Sequence, residues 1–374
     1  MIPIAKPLIG EEEKRAVLEV LSSGMLAQGK KVAKFEENFA DYIKVKHAIA
    51  VNSGTSALHT ALLACGIRQG DEVITTPFSF IATANAILYC QAKPVFADID
   101  EKTFNIDPEQ IKEKITSKTK ALLVVHLYGL PCEMQAIKEI CEDYKLLLIE
   151  DACQAHGAEY KGKRVGSFGD AGVFSFYPTK NMTTGEGGMI TTNNEKIAEK
   201  ARLIREHGAK QRYLHETLGY NYRMTDIAAA IGIEQLKKLD KMNETRIKNA
   251  EILTKGIRGI NGITLPFVPN GTKHVFHQYT IRITGDYKLT REQLIEKMKA
   301  NGIASMIYYP IPIHKQPLYI KLGYKDKLPN AEKACEEVLS LPVHAGVDRD
   351  GINRIIEVIT VSYTHLTLPT KRIV

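Results

Sequence analysis

One lysine in this sequence stands where an apolar, aromatic run gives way to a glycine-rich loop: Lys180, in FSFYPTKNMTTGEGG (174–188). An ammonium in a half-buried site must find a counter-charge, lose its proton or become covalently bonded. A desolvated lysine with a lowered pKa forms Schiff bases with carbonyl compounds. A surface lysine that snorkels to water is the plainer alternative. The aromatic residues before Lys180 speak against it, as do the glycines after it, which let main chain approach a ligand closely. Asp151 ends the run LLLIED (146–151), and a carboxylate there needs a cationic or hydrogen-bonding partner, a role that a helix cap or structural ion pair would also fill. In NSGTSA (52–57), Ser53, Gly54, Thr55 and Ser56 stand at an expected helix start. Free N–H groups and the helix dipole favour a phosphate there, or the segment is an ordinary cap. Phe80, in TPFSF (76–80), offers a ring to stack on a flat ligand, or is plain core. Gln154, one turn past Asp151, says little alone.

These residues must be held by something. From residue 48 short apolar runs (AIAV, EVITT, PVFADID, KALLVVHL, LLLIED, GVFSFY, MITT) alternate with amphipathic stretches. That rhythm predicts parallel strands joined by crossover helices, an α/β sheet covered on both faces. Helical spacing also marks 10–22 and 30–44, and a long helix is expected over about 224–258. Past Gly259 the pattern changes: HQYTIRI reads as a strand, TREQLIEKMKANG and NAEKACEEVLSL as helices. The expected division is a large cofactor-binding α/β domain over 1–259 with an N-terminal arm (1–30), a smaller α+β domain over 260–359, and a tail over 360–374. DGINRIIEVI reads as the closing helix. The tail lacks a 3.6-residue period and resembles the translated read-through of a sequencing adapter, so it is expected to be foreign or non-functional and to make few contacts over 362–374.

Ligands of open α/β sheets sit at the carboxyl ends of strands. The loops after AIAV, EVITT, LLLIED and GVFSFY should therefore line one site. Together they supply an imine-forming lysine, a carboxylate for a pyridinium nitrogen, a ring to stack on a planar cofactor and a phosphate cradle. That set describes a pyridoxal 5′-phosphate site. Neither G-x-x-x-x-G-K-[ST] nor G-x-G-x-x-G occurs, so the ATP and dinucleotide readings lack their fingerprints.

Bulk properties narrow the class. A chain of 374 residues suggests two domains. The net charge of +7 is spread out with no basic block, which argues against a nucleic-acid arm and suits an anionic small-molecule partner. Six scattered cysteines with no C-x-x-C argue against a zinc site or a disulfide framework and suit a reducing cytoplasm. The apolar runs are far shorter than the ~20 residues that span a bilayer, so no membrane partner is expected. The start has no run long enough for a signal peptide.

The sequence resembles the DegT/DnrJ/StrS nucleotide-sugar aminotransferases, a branch of the fold-type I (aspartate aminotransferase-like) pyridoxal-phosphate enzymes. The matching segments are SGMLAQG (23–29), NSGTSALHTAL (52–62), TTPFSFIATANAI (75–87), PVFADID (94–100), EDACQAHGAEYKGKRVGSFGDAGVFSFYPTKNMTTGEGG (150–188), GYNYRMTDIAAAIG (219–232) and YYPIPIHKQPLY (308–319). They run in the family's order to about residue 359. The resemblance implies that Lys180 is the Schiff-base lysine, with Asp151 at the pyridine nitrogen, Gln154 at the ring hydroxyl and Phe80 on the ring. It places Gly54, Thr55 and Ser175 at the phosphate, and Asn221 at the phosphate of the neighbouring subunit. Met25, Leu26, Tyr309 and His314 would form the sugar-side wall; the family commonly has an aromatic residue near Met25. It also implies a homodimer with shared active sites. An amino acid, usually L-glutamate, would donate its amine to a nucleotide-linked keto-sugar for amino-sugar and cell-surface polysaccharide synthesis. Sugar dehydratases of the same fold replace the lysine with histidine, and some relatives were first described as regulators; these are the alternatives.

Overall fold

The alternation that begins at residue 48 is realised as a seven-stranded sheet. The computed structural model describes the main chain of residues 1–364 and the side chains of residues 1–361. The strands are β1 (His47–Val51), β2 (Glu72–Thr75), β3 (Lys93–Phe96), β4 (Thr119–Val125), β5 (Leu147–Asp151), β6 (Ala171–Ser175) and β7 (Gly188–Thr192). Their order across the sheet is β1-β7-β6-β5-β4-β2-β3. All neighbours pair in parallel except β7, which runs antiparallel to both β1 and β6. It does so because β6 returns through residues 176–187 with no crossover helix between.

Central strands buried on both faces have no reason to alternate. The ALLVV run of β4 and every residue of β6 and β7 are buried accordingly. Helix α3 (Gly54–Ala64) is started by Ser53, whose hydroxyl accepts from the N–H of Ser56 at 3.1 Å. Helix α4 (Ala82–Tyr89) follows β2, its start at Ile81 without a side-chain cap. Near the start of the chain, α1 (Glu11–Ser23) and α2 (Lys30–Ile43) cross the long helix Asp226–Ile257. Val32, Phe35, Phe39 and Ile43 form the buried stripe of α2.

The long helix serves two cores. Leu236, Leu239 and Met242 pack with Phe35, Phe39 and Phe174. Further along, Ala250, Leu253 and Ile257 pack against a three-stranded antiparallel sheet made of Ile263–Thr264, Tyr279–Ile283 and Val338–Leu341. The last of these strands corrects the sequence reading. NAEKACEEVLSL was expected to be one helix, but the helix ends at Glu337 and Val338–Leu341 pairs with Tyr279–Ile283. The partner is distant in sequence, and burial of Val338, Leu339 and Leu341 in the pairing overrides the local helical pattern.

The first residues are not loose: Ile2 bridges Ile303 in parallel. Asp226 ties two helix starts together. Its carboxylate accepts from the N–H groups of Gly29 (2.8 Å), Val32 (2.9 Å) and Lys31 (3.2 Å) while opening the long helix itself. At the other end the closing helix, expected to stop near Ile359, runs over Arg349–Thr364, with the Thr360 hydroxyl donating back to Ile356 O at 2.9 Å. The expectation for the tail otherwise falls outside the described residues. No helix among the described residues is long and apolar enough to cross a membrane.

Candidate active site

The loops after β1, β2, β5 and β6 open into one cavity of about 720 Å³. Lys180, Asp151, Gln154, Ser175, Gly54, Thr55, Phe80 and Tyr309 all line it. A shallower groove of about 600 Å³ lies elsewhere, where β2 and β3 begin at Glu72 and Lys93. It is at the amino ends of the strands, opposite to where such sheets bind ligands.

At one side of the cavity the start of α3 comes against the end of β6. A Cβ on Gly54 would lie 2.6 Å from Ser175 Cβ, so only glycine allows this approach. The first turn of α3 thus offers its main-chain N–H groups, the Thr55 hydroxyl and Ser175 to an anion. Gly188, at the start of β7, closes the cradle from behind, where an added Cβ would meet Ser53 O at 2.3 Å.

Asp151 ends β5 with its carboxylate held from two sides. The Thr83 hydroxyl of α4 donates to Oδ2 at 2.8 Å, and the N–H of Cys153 donates to Oδ1 at 3.2 Å. Gln154 accepts at Oε1 from the N–H of Tyr128 (2.9 Å) and donates from Nε2 to the Tyr309 hydroxyl (3.2 Å). Burial pushes the Lys180 amine below its ordinary value, against the opposing pull of Cys153 and Asp151. The imidazoles near it are neutral. Burial lowers His156 to about 3, and burial together with the Lys180 charge takes His277 well below its usual value. Beside Asp151, burial and that carboxylate push the Cys153 thiol well up, so it is not a ready nucleophile.

The remaining sequence candidates lie outside this cavity. Met25 and Leu26 are surface residues, 71% and 43% exposed. Asn221 is exposed too, although its main-chain O accepts from the Asn52 side chain (3.4 Å) beside the phosphate cradle. His314 is buried away from the cavity, packed near Phe96, with Nε2 3.2 Å from Glu332 Oε1.

Several lining residues were not singled out from sequence. Thr83 comes from α4. Tyr128 follows β4 and reaches the cavity from a strand end, as Asp151 does from β5. Tyr177, Thr179 and Glu186 flank Lys180 in its own loop. His277 and Gln278 come from the second half of the chain, where no local signal marks them, and Tyr308 comes from the YYPIPIHKQPLY segment beside Tyr309.

With this geometry in place, comparison with known proteins is informative. The model of the DegT/DnrJ/EryC1/StrS aminotransferase family matches residues 7–360. The chain is 46% identical over 358 residues to a pleiotropic regulatory protein of Geobacillus stearothermophilus, covering 95% of each chain. It is 43% identical over 359 residues to the GDP-perosamine synthase of Caulobacter vibrioides, covering 95% of this chain and 96% of the relative. Among solved structures, DesV of S. venezuelae in complex with a ketimine intermediate superposes with a TM-score of 0.90 at 37% identity, covering 95% of each chain.

Proposed function

The chain belongs to the DegT/DnrJ/EryC1/StrS aminotransferase family, and from that premise we propose that it moves an amino group from an amino acid, L-glutamate in the first instance, to a nucleotide-linked keto-sugar. It is a pyridoxal 5′-phosphate-dependent aminotransferase of amino-sugar biosynthesis, as its relatives' names indicate. The observation that carries the reading is Lys180, half-buried with a lowered pKa in the cavity that Asp151 and the α3 cradle share.

The residues present fit the cofactor. The cradle that a Gly54 Cβ would fill offers N–H donors and hydroxyls to a phosphate ester. When bound, pyridoxal 5′-phosphate supplies a pyridine ring that takes up the electron pair left as a proton departs from the amine-bearing carbon. Gly54, Thr55 and Ser175 would hold the phosphate. Asp151, its carboxylate already oriented by Thr83 and the Cys153 N–H, would keep a proton on the ring nitrogen. Gln154 would serve the ring hydroxyl and Phe80 would stack on the ring. Lys180 would hold the cofactor and, when free, would remove and return the proton, first as base and then as acid. Its lowered pKa shifts the amine toward the neutral form that the first of these roles needs.

Met25, Leu26 and Asn221 are exposed in the single chain, and the sugar side of the cavity lacks them. A homodimer in which each copy lends these residues to its partner's site accounts for that. The cysteines are all free, which accords with a cytoplasmic enzyme. A regulatory role, suggested by the name of the G. stearothermophilus relative, has no use for a half-buried lysine in the same cavity as a phosphate cradle.

The test is direct. Purified protein is supplied with L-glutamate and a panel of UDP-, dTDP- and GDP-linked 3-keto and 4-keto sugars, and 2-oxoglutarate and the amino sugar are read by mass spectrometry. Turnover of one sugar identifies the substrate. Failure to transfer an amine to any member, by protein that holds the cofactor, contradicts the proposal.

A further inference from the structure

The Gln154 carboxamide can sit either way round, and which way decides what it offers the cavity. Its surroundings leave one answer. The main-chain N–H of Tyr128 is a donor only, and it points at the Gln154 carboxamide at 2.9 Å, so the oxygen must face it. The nitrogen then faces the Tyr309 hydroxyl at 3.2 Å. One amide hydrogen is spent on that hydroxyl, and the second is left for the cavity.

Both partners are themselves held. Tyr128 has a φ of 58°, and Gly129 after it has a φ of 96°. A Cβ on Gly129 would lie 3.0 Å from His277 N and 3.1 Å from Gln154 O, so the turn is pinned against the residue it orients. The Tyr128 hydroxyl donates to Tyr308 O, which joins this turn to the segment bearing Tyr309. The Tyr309 ring packs edge-on to Phe78, with centroids 6.2 Å apart. Burial holds its phenol above the ordinary range, so the hydroxyl stays protonated and serves Gln154 as a neutral acceptor.

We infer that Tyr309 is a positioning residue: with the N–H of Tyr128 it locks Gln154 so that an amide N–H, and not the carbonyl, faces the ring hydroxyl of the cofactor. This rests on the pyridoxal-phosphate reading above. It replaces the sugar-wall role that the sequence suggested for Tyr309 with a role on the cofactor side. The polarity matters because an anionic ring oxygen is stabilised by an N–H donor and repelled by a carbonyl oxygen.

Cofactor-free full-length wild type, Tyr309→Phe, Gln154→Ala and the double variant are titrated by equilibrium dialysis. The probes are pyridoxal 5′-phosphate and its analogue lacking the ring hydroxyl. Phenylalanine keeps the packing on Phe78, so the variant should fold. The expected result is that Tyr309→Phe weakens pyridoxal 5′-phosphate about three- to tenfold. It leaves the analogue's affinity unchanged and adds nothing in the Gln154→Ala background. Equal loss for both probes, or the same loss without the Gln154 side chain, overturns the inference. So does an unchanged cofactor affinity with a raised KM for the keto-sugar alone, which would return Tyr309 to the sugar wall. Wild type that binds neither probe overturns the cofactor reading itself, and the inference with it.

Discussion

His126 Nε2 lies 3.1 Å from Glu150 Oε2, and both side chains are fully buried. His126 Nδ1 accepts from the N–H of Cys132 at 3.0 Å, so the ring proton sits on Nε2 and is donated to the carboxylate. Glu150 also accepts from the N–H groups of Phe168 (2.7 Å), Gly169 (2.8 Å) and Gly166 (2.8 Å). The N–H of His126 itself donates to Asp151 O at 3.1 Å. This network fixes the strand ends from which Asp151 emerges. Glu150→Gln puts an amide NH₂ against some of these donors and should cost about 2–4 kcal/mol of stability. Urea unfolding monitored by circular dichroism measures it, and a change below roughly 0.5 kcal/mol would show that the network is not structural.

Lys180→Ala should abolish turnover and leave no borohydride-fixed adduct on the peptide containing residue 180. In wild type the amine's lowered pKa has a sign that can be checked. A base whose pKa falls on folding is neutral over a window below the ordinary lysine value. Adduct formation between cofactor-free protein and pyridoxal 5′-phosphate should therefore have its pH midpoint below that of an exposed lysine. A midpoint at the ordinary lysine value would contradict the desolvation that lowers the amine's pKa.

Asp151→Asn removes the carboxylate that Thr83 and the Cys153 N–H orient. The rate should fall by roughly 10²-fold or more while some cofactor is retained. Because the Asp151 charge pulls the Lys180 pKa upward, its loss should also move the adduct midpoint to still lower pH. A variant within a factor of two of wild type in rate would make Asp151 a structural residue.

Gly54→Ala tests the cradle. The new methyl meets Ser175 Cβ at 2.6 Å, so α3 must move away from β6. Cofactor affinity should fall at least about tenfold, while the melting temperature falls only modestly. Unchanged affinity by equilibrium dialysis would remove this end of α3 from the phosphate site.

A homodimer should be present at micromolar concentration by sedimentation. Asn221→Ala should lower cofactor affinity without dissociating it. An active monomer, or an Asn221 variant with wild-type affinity, would leave each site within one chain.

Much of the site was legible because strand ends announce themselves. An apolar run that stops at a carboxylate, as at Asp151, or at a lysine loop, as at Lys180, marks where a parallel sheet presents chemistry. The Ser53 cap likewise located the start of α3 from sequence. Tyr128 carries the same strand-end signal, since it follows the end of β4. Tyr308 heads the YYPIPIHKQPLY segment and stands beside Tyr309, whereas His277 had no signal: it reaches the cavity through contacts between distant parts of the chain, which local spacing does not encode. The strand Val338–Leu341 was hidden in the same way, since its reason to be extended is a partner in Tyr279–Ile283.

The order of strands has a consequence for how the protein comes into being. β1 lies at the sheet's edge, its one strand neighbour β7, with Val51 also bridging Arg223, and β1 and β7 together frame the phosphate cradle. On a ribosome adding about 5–20 residues per second, β1 is made on the order of ten seconds before its partner exists. During that interval the HAIAV edge is unpaired and sticky. The cofactor has no cradle to enter until Gly188–Thr192 has left the exit tunnel. Cofactor capture is therefore a closing event of biogenesis: it can reward a finished sheet, but it cannot guide the building of one.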